Sequence, residues 1–504
     1  MHHLLGDQLL IFLQKHTHGS LQTRIFNGIR ELIVNKSLST YTRLPASRDL
    51  AKELHVSRNT ILSVYEQLQA EGYVDAHTGK GTWVAAHLPE LFLNTQTSID
   101  APLGESTADT TLSHRGGHLI SMASSSPHQW GAFVPGTPDV TEFPHQIFNK
   151  IYAKYRKKAQ VDDLIYSNSG GTLELRSALA AYLKIARSVD CNENQIIITA
   201  GIHQAIDLIS RTLSDVNDPV WIEEPSYWGL RNILEMNGAK IHAIPVDQHG
   251  IQIRKVKQPS PSPKLIFVTP SHQYPLGSHL SLERRQDLIQ FAKQHHAWIV
   301  EDDYDSEFRF SGHPYPSLQG LESNAPVIYM GTFSKTLYPA MRLGYLVVPK
   351  KLFHPIRLAA AELFRGGHNL IQLALADFIR EGYYEAHIRR MRLLYGKRRK
   401  YLVSLIEKYL GKEFIHEFDD ESGLHLVLKL PHDLCDVHIA KQCLEKGIKV
   451  RALSKYYTDH ASHVQKGLLM GFACVPEQEM YIAFSQLLQC LKDAGIKLNC
   501  QDQR

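Results

Sequence analysis

Apolar side chains at Leu21, Ile25, Ile29, Leu32 and Ile33 recur at the spacing of one helical face, so a helix is predicted over residues 21–34. A second, shorter helix is expected after Pro45, with Ser47 as its N-cap and Leu50, Ala51 and Leu54 turned inward. A third starts from a Ser57 cap, carries Ile61, Val64, Tyr65 and Leu68 on its inner face, and ends near Gly72. Two short strands, residues 73–76 and 82–84, then flank the glycine turn 77–81. Three helices and a hairpin in this order predict a winged helix-turn-helix over residues 1–86. Ahead of them, Leu4, Leu5 and the cluster 9–13 suit an amphipathic helix. That cluster is too short to span a membrane and lacks the basic start and cleavage site of a signal peptide.

From residue 87 to residue 127 the periodicity dissolves into Ser, Thr, Gly and Asn, which predicts a linker, either flexible or with part of it pinned to the second domain. Beyond it, over residues 128–495, helical and strand patterns alternate, the mark of an α/β domain. Strands are predicted at 196–199, 220–222, 241–244, 265–269, 298–301, 327–330 and 343–348.

Composition adds scale: 504 residues, 43% hydrophobic and 21% charged, describe at least two globular domains with a large core. A net charge of +4 neither demands nor excludes nucleic acid, so the local distribution decides. Within residues 1–85, nine Lys and Arg face seven Asp and Glu. The positives Arg43, Arg48, Arg58 and Lys80 stand at element starts and the wing tip, whereas Glu66 and Glu71 lie toward the far end of the third helix. That asymmetry favours double-stranded DNA over a winged domain used only for protein contacts, and Arg58, Asn59 and Thr60 sit where a helix in the major groove would make base or phosphate contacts. The six cysteines contain no Cys-x-x-Cys pair and the histidines show no metal-ligand spacing, so reduced thiols in a cytoplasmic protein, without metal, are expected.

In open α/β sheets ligands gather at the carboxyl ends of strands, and the informative residues fall there. Gly201-Ile202-His203 turns from a strand into a helix whose free amides suit a phosphate, although such turns are commonly structural. Tyr227 could stack on a flat ring or pack in the core. The run Glu301-Asp302-Asp303-Tyr304-Asp305 could hold a metal or the protonated nitrogen of a heteroaromatic ring. In Thr332-Phe333-Ser334-Lys335, a lysine at a strand end could be a solvated loop residue or a nucleophile toward an aldehyde. Arg342 adds charge for a phosphate. Each item is ambiguous, but the set matches what pyridoxal 5′-phosphate (PLP) requires: a phosphate cradle, a stacking ring, a carboxylate, a phenol and a lysine.

Leu44-Pro45-Ala46-Ser47-Arg48, Val56-Ser57-Arg58-Asn59-Thr60 and Gly79-Lys80-Gly81-Thr82 resemble the winged helix of GntR-type bacterial regulators. The resemblance implies that Arg48, Ser57, Arg58, Asn59 and Gly81 meet DNA. Residues 132–491 resemble the fold type I PLP-dependent aminotransferases, with a large mixed-sheet subdomain and a smaller C-terminal α+β subdomain. That resemblance implies Lys335 as the internal aldimine lysine, Asp302 at the pyridine nitrogen, Tyr304 at the ring hydroxyl and Tyr227 as the stacking ring. It further implies the Ile202 and His203 backbone with Thr332, Ser334 and Arg342 at the phosphate, and Tyr166 reaching the phosphate of a partner subunit.

Two positions depart from the aminotransferase pattern. Tyr274 replaces an asparagine of the Asn-Pro-x-Gly loop, and Leu469 stands where an arginine usually holds the substrate carboxylate; spacing alone does not show whether Arg451 or Lys466 compensates. The fusion as a whole, with Phe133-Val134-Pro135-Gly136-Thr137-Pro138-Asp139 at its junction, resembles the MocR-type GntR regulators. This implies a homodimeric, head-to-tail transcription regulator whose PLP-binding domain senses an amine or amino acid effector, or PLP itself. The alternative is an active aminotransferase carrying a DNA-binding appendage, and the Leu469 departure predicts little turnover.

Overall fold

The computed structural model describes residues 2–77, 81–86, 112–121, 129–167, 170–256, 261–312, 315–418, 421–461 and 463–499. They belong to two compact units that part between Thr110 and Thr111.

The first unit contains α1 (His2–Lys15), α2 (Leu21–Val34), α3 (Ser47–Glu53), α4 (Arg58–Ala70) and the antiparallel hairpin β1 (Val74–His77) and β2 (Gly81–Val84). Leu9, Ile25, Ile29, Ile33, Leu50, Ile61, Val64 and Leu68 are completely buried in one core. A Cβ at Gly28 would lie 2.8 Å from Leu9 Cδ2, so the glycine allows α1 to lie close on α2. Ser57 caps α4 as expected, its Oγ accepting from the Thr60 amide at 3.1 Å. Ser47 does not cap α3. It is the first helical residue, and the N-cap is Ala46, whose carbonyl accepts from Asp49 and Leu50. The preceding Pro45 carbonyl accepts the Tyr65 hydroxyl at 2.9 Å, which ties the entry of α3 to α4. Residues 41–44 run along β2, with Leu44 N to Thr82 O at 2.8 Å and Val84 N to Thr42 O at 2.9 Å. This third edge of the wing had no alternating pattern to announce it.

The second unit is built on an eight-stranded mixed sheet. Its strands are β3 (Ile196–Thr199), β4 (Pro219–Glu224), β5 (Lys240–Asp247), β6 (Gly250–Ile251), β7 (Leu265–Val268), β8 (Trp298–Asp303), β9 (Val327–Thr332) and β10 (Gly344–Val347), in the order β3-β10-β9-β8-β7-β4-β5-β6. Strands β9, β8, β7, β4 and β5 are parallel, and β10 lies antiparallel between β3 and β9. Every residue of β7, β9 and β10 is buried, because helices cover both faces; this is why these strands read as continuous rather than alternating apolar runs. A smaller antiparallel sheet joins β11 (His425–Lys429), β12 (Arg451–Ala452) and β13 (Gly467–Gly471), with β13 in the centre.

Much of the expected linker lies outside the described residues, but part of it is ordered. His114–Ser121 forms a helix, with His118 Nε2 2.8 Å from Glu235 Oε2 and Arg115 donating to the Met236 carbonyl at 3.3 Å. Met236 ends the helix Trp228–Met236, so the arginine satisfies a carbonyl that the helix leaves without a partner.

Candidate functional site

In the first unit, the cap at Ser57 aims the opening residues of α4 outward. Arg48, Ser57, Arg58 and Asn59 are exposed and Thr60 is half-buried. Ser57 and Thr60 bond one another, Oγ to Oγ1 at 2.8 Å, so their hydroxyls shape the helix start while Arg58 and Asn59 face solvent. Gly81 is exposed at φ 102°, a conformation that favours glycine, and a Cβ there would come within 2.9 Å of Arg43 Nε. Arg43 itself lies over the Trp83 ring at 5.8 Å, which steadies the base of the wing. Lys80 lies outside the described residues.

In the second unit, the strand ends of β3, β4, β8 and β9 converge on Lys335. Its ammonium donates to the Gly136 carbonyl at 2.7 Å. Gly136 has φ 67°, and a Cβ on it would sit 2.9 Å from Lys335 Nζ. Burial pushes the Lys335 pKa down; Asp305 and Asp302 oppose that shift and Arg451 adds to it. Lys335 is half-buried, with its ammonium turned to the Gly136 carbonyl.

The three aspartates beside it divide their roles. Asp303 Oδ2 accepts from Arg187 Nε and the Tyr329 hydroxyl, both at 2.6 Å, and belongs to the buried framework. Asp305 pairs with His272 Nδ1 at 3.2 Å. Asp302 Oδ1 is buried without a hydrogen-bond partner, and burial, followed by Asp303 and Asp305, pushes its carboxyl well above the usual range. It is an acceptor open to one N–H from a ligand. Tyr304 is buried with its hydroxyl 2.9 Å from His272 Nδ1.

Gly201, at φ 90°, begins the helix Ile202–Leu213, whose first-turn amides have no helical acceptor. Arg342 crosses this start and donates to the Ala200 carbonyl at 2.9 Å, from a left-handed backbone position at φ 52°. Ser334 N donates to Thr332 Oγ1 at 3.1 Å and closes the loop before Lys335. The site thus offers helix amides, a hydroxyl loop and a guanidinium at one pole and an open carboxylate oxygen at the other. That donor set fits a planar ring bearing both a phosphate and a protonated nitrogen. Tyr227 is oriented by a 2.8 Å bond between its hydroxyl and His203 Nε2.

Tyr166 does not join this group: it is 80% exposed, with the Arg365 guanidinium 5.7 Å from its ring. Sequence reading also missed the Gly136 carbonyl and His272. Pairing over 199 and 32 positions of chain leaves no periodic signal.

A cavity of about 1290 Å³ adjoins the group, with Val134, Pro225, Trp228, Leu276, Arg451 and Tyr456 in its wall. Lys335 and Asp302 are outside that lining. The connection runs through Tyr227, whose ring lies 5.2 Å from Trp228 and 5.9 Å from Tyr274, and Tyr274 in turn lies 5.6 Å from Tyr304. Leu469 is completely buried in an apolar cluster with Leu276, Val427 and Leu453.

Comparison with known proteins places both units. Residues 21–84 match the gntR family of bacterial regulatory proteins, and residues 140–487 match aminotransferase class I and II. The chain is 36% identical over 473 residues to the probable rhizopine catabolism regulatory protein MocR of Rhizobium meliloti, with 94% of each chain covered. It is 29% identical over 480 residues to the pyridoxine biosynthesis transcriptional regulator PdxR of Corynebacterium glutamicum, covering 95% of this chain and 97% of that one. The second unit shares its fold with the kynurenine aminotransferase of Pyrococcus horikoshii, at TM-score 0.66 and 23% identity, over 79% of this chain and 98% of that one. It likewise matches the multiple substrate aminotransferase of Thermococcus profundus, at TM-score 0.66 and 23% identity over 76% and 98%. A GntR helix-turn-helix followed by a fold type I aminotransferase-like domain, with this identity along nearly its whole length, makes the chain a member of the MocR-type family of transcription regulators.

Proposed function

We propose that the second unit holds PLP at Lys335 and uses it to sense an amine, an amino acid or the cofactor's own abundance, and that the outcome controls how the helix-turn-helix binds operator DNA. The observation that carries this reading is the pairing of a desolvated lysine, hydrogen-bonded to the Gly136 carbonyl, with an open carboxylate oxygen on Asp302. When bound, the cofactor supplies a carbonyl that exchanges amines reversibly. Asp302 would then hold the ring nitrogen protonated, Tyr304 would face the ring hydroxyl, and Tyr227 would cover the ring. The amides of Ile202 and His203, with Thr332, Ser334 and Arg342, would take the phosphate.

In this reading the chain works as a cytoplasmic homodimer with a head-to-tail arrangement. The 80% exposure of Tyr166 is what a residue that completes a partner's phosphate site would show before assembly. Residues 1–86 are taken as the DNA module, 87–127 as the connector and 128–495 as the sensor. An effector can shift DNA affinity only by its differential affinity for two states of the protein. The buried Leu469 argues against efficient transamination, since the side chain in that place cannot anchor a carboxylate.

The test is DNA binding by the purified protein to the promoter of a neighbouring gene, with and without PLP and candidate amines. An effector response lost in Lys335→Ala supports the sensor. No response to any amine or to PLP, with Lys335→Ala regulating normally, defeats it. Repeated turnover with an amino donor and a keto acceptor would show the aminotransferase alternative instead.

A further inference from the structure

The smaller sheet places a cation where the family pattern loses one. β12 and β13 are antiparallel, and their register sets Arg451 directly opposite Leu469. Directly opposed residues of an antiparallel pair project from the same face, with Cβ atoms about 5 Å apart. The guanidinium therefore rises beside the position from which the usual carboxylate-binding arginine is missing.

Three further observations set Arg451 apart from an ordinary surface arginine. It is half-buried in the wall of the cavity that adjoins the Lys335 group. The same wall holds Tyr456, whose hydroxyl lies 3.2 Å from the Tyr274 hydroxyl, which links it to the ring of phenols around Tyr227 and Tyr304. Among the described residues no carboxylate pairs with it. Lys466, the other nearby cation, is in a different condition: its Nζ lies 3.8 Å from Asp436 Oδ1. The positive charge of Arg451 also works to lower the pKa of Lys335, Tyr227 and Tyr274.

A cation in a partly desolvated wall without a counterion is an anion site in waiting. We infer that Arg451, with the Tyr456 hydroxyl, binds the carboxylate of an amino acid effector, taking over from the neighbouring strand the task that Leu469 cannot perform. This inference rests on the PLP reading of the Lys335 site. It adds a chemical class: the effector carries a carboxylate as well as an amine, and its carboxylate approaches from β12. Tyr274, in place of the loop asparagine, acts as a positioning residue that holds the Tyr456 hydroxyl toward the guanidinium.

Two reagents that condense with any reactive carbonyl test this without knowledge of the effector: aminooxyacetate, which has a carboxylate, and O-methylhydroxylamine, which has none. Rates are read from the cofactor's visible absorption band on the full-length, PLP-loaded protein. The wild type is expected to react at least about tenfold faster with aminooxyacetate, the scale of one charge-assisted hydrogen bond. Arg451→Met should bring the two rates to within about twofold while leaving the O-methylhydroxylamine rate unchanged, and Arg451→Lys should restore part of the preference. A cofactor band with no preference in the wild type, or a preference that survives in Arg451→Met, overturns the inference and leaves the cofactor reading standing. No band after PLP addition, with both reagents silent, overturns both. An intact cofactor band in Arg451→Met shows that the variant is folded, so loss of preference then reports the guanidinium.

Discussion

The two functional faces of this chain use charge in opposite ways. Arg48 on α3 and Arg58 and Asn59 at the start of α4 stand in solvent, and the start of α4 is capped within one turn, from Ser57 to Thr60. Around Lys335, charged groups are withdrawn from water and made to answer to one another: Lys335 to Asp305 and Asp302, Arg187 to Asp303, and Asp305 to His272. Exposed charges keep their hydration and are screened by salt, which suits reversible contact with a phosphate backbone. Desolvated charges interact strongly but lose stability or shift their proton unless a partner is present. A surface built for long-range attraction can therefore be local in sequence, whereas a site built for chemistry on a small molecule must be assembled from distant segments.

The largest effect should come from removing the desolvated amine. Lys335→Ala is expected to abolish the visible absorption band of the PLP-loaded protein, while DNA binding measured without PLP or effector stays within about twofold of the wild type under the same conditions. A retained band would erase the contrast between the two faces. Truncating the exposed face should have a smaller, salt-dependent effect. Arg58→Ala should weaken operator binding by roughly 5- to 150-fold, the range of one base or phosphate contact, as read in a gel shift at two ionic strengths. Loss of affinity that ignores salt would show that Arg58 is not acting as a solvated cation.

The pH response sharpens the comparison from the buried side. Burial, then the neighbouring His272, pushes the His425 pKa down to about 3 from an unfolded value of 6.5. The unfolded chain therefore binds a proton that the folded one refuses, and the stability contribution is present above pH 6.5 and lost as pH falls toward 3. His425→Gln should flatten the acid limb of the stability curve by about 2 kcal/mol at pH 5, measured by urea unfolding at several pH values. Glu301, raised to about 7 chiefly by burial, works in the opposite sense: its contribution is present below pH 4.5 and fades as pH rises through 7. An acid limb unchanged by His425→Gln would mean that this histidine gains a proton without unfolding.

The smallest effect belongs to the local side. Ser57→Ala removes the cap of α4 and should cost about 1 kcal/mol, seen as a lower melting temperature of the helix-turn-helix. The cofactor band should not change.

Much of this was legible from the residues. The helices over 21–34 and 58–70 follow from their 3.6-residue period and the Ser57 cap, and seven of the eight strands of the large sheet follow from short apolar runs that end in polar clusters, the two-residue β6 being the exception. Where reading failed, another contact had decided. Ser47 became the first residue of α3 because the backbone of Ala46 took the capping position, and the edge segment 41–44 was ordered by bonds to β2 rather than by any pattern of its own. His114–Ser121 looked like linker because its helix is held by Glu235 and Met236, far along the chain.

The chain order alone determined that a winged helix precedes an α/β body, because periodicity, caps and strand-end motifs are short-range and can be counted along one segment; the resemblance of those motifs added the aminotransferase-like character. It also determined which residue types could serve a PLP site, and that an arginine was missing at Leu469. Only the tertiary structure decided that Asp303 answers Arg187 and Asp305 answers His272 while Asp302 Oδ1 stays open, that the Gly136 carbonyl receives Lys335, and that Arg451 faces Leu469 across the smaller sheet. Those outcomes depend on register, burial and the competition of partners for one charge, which arise only when segments hundreds of residues apart are brought together.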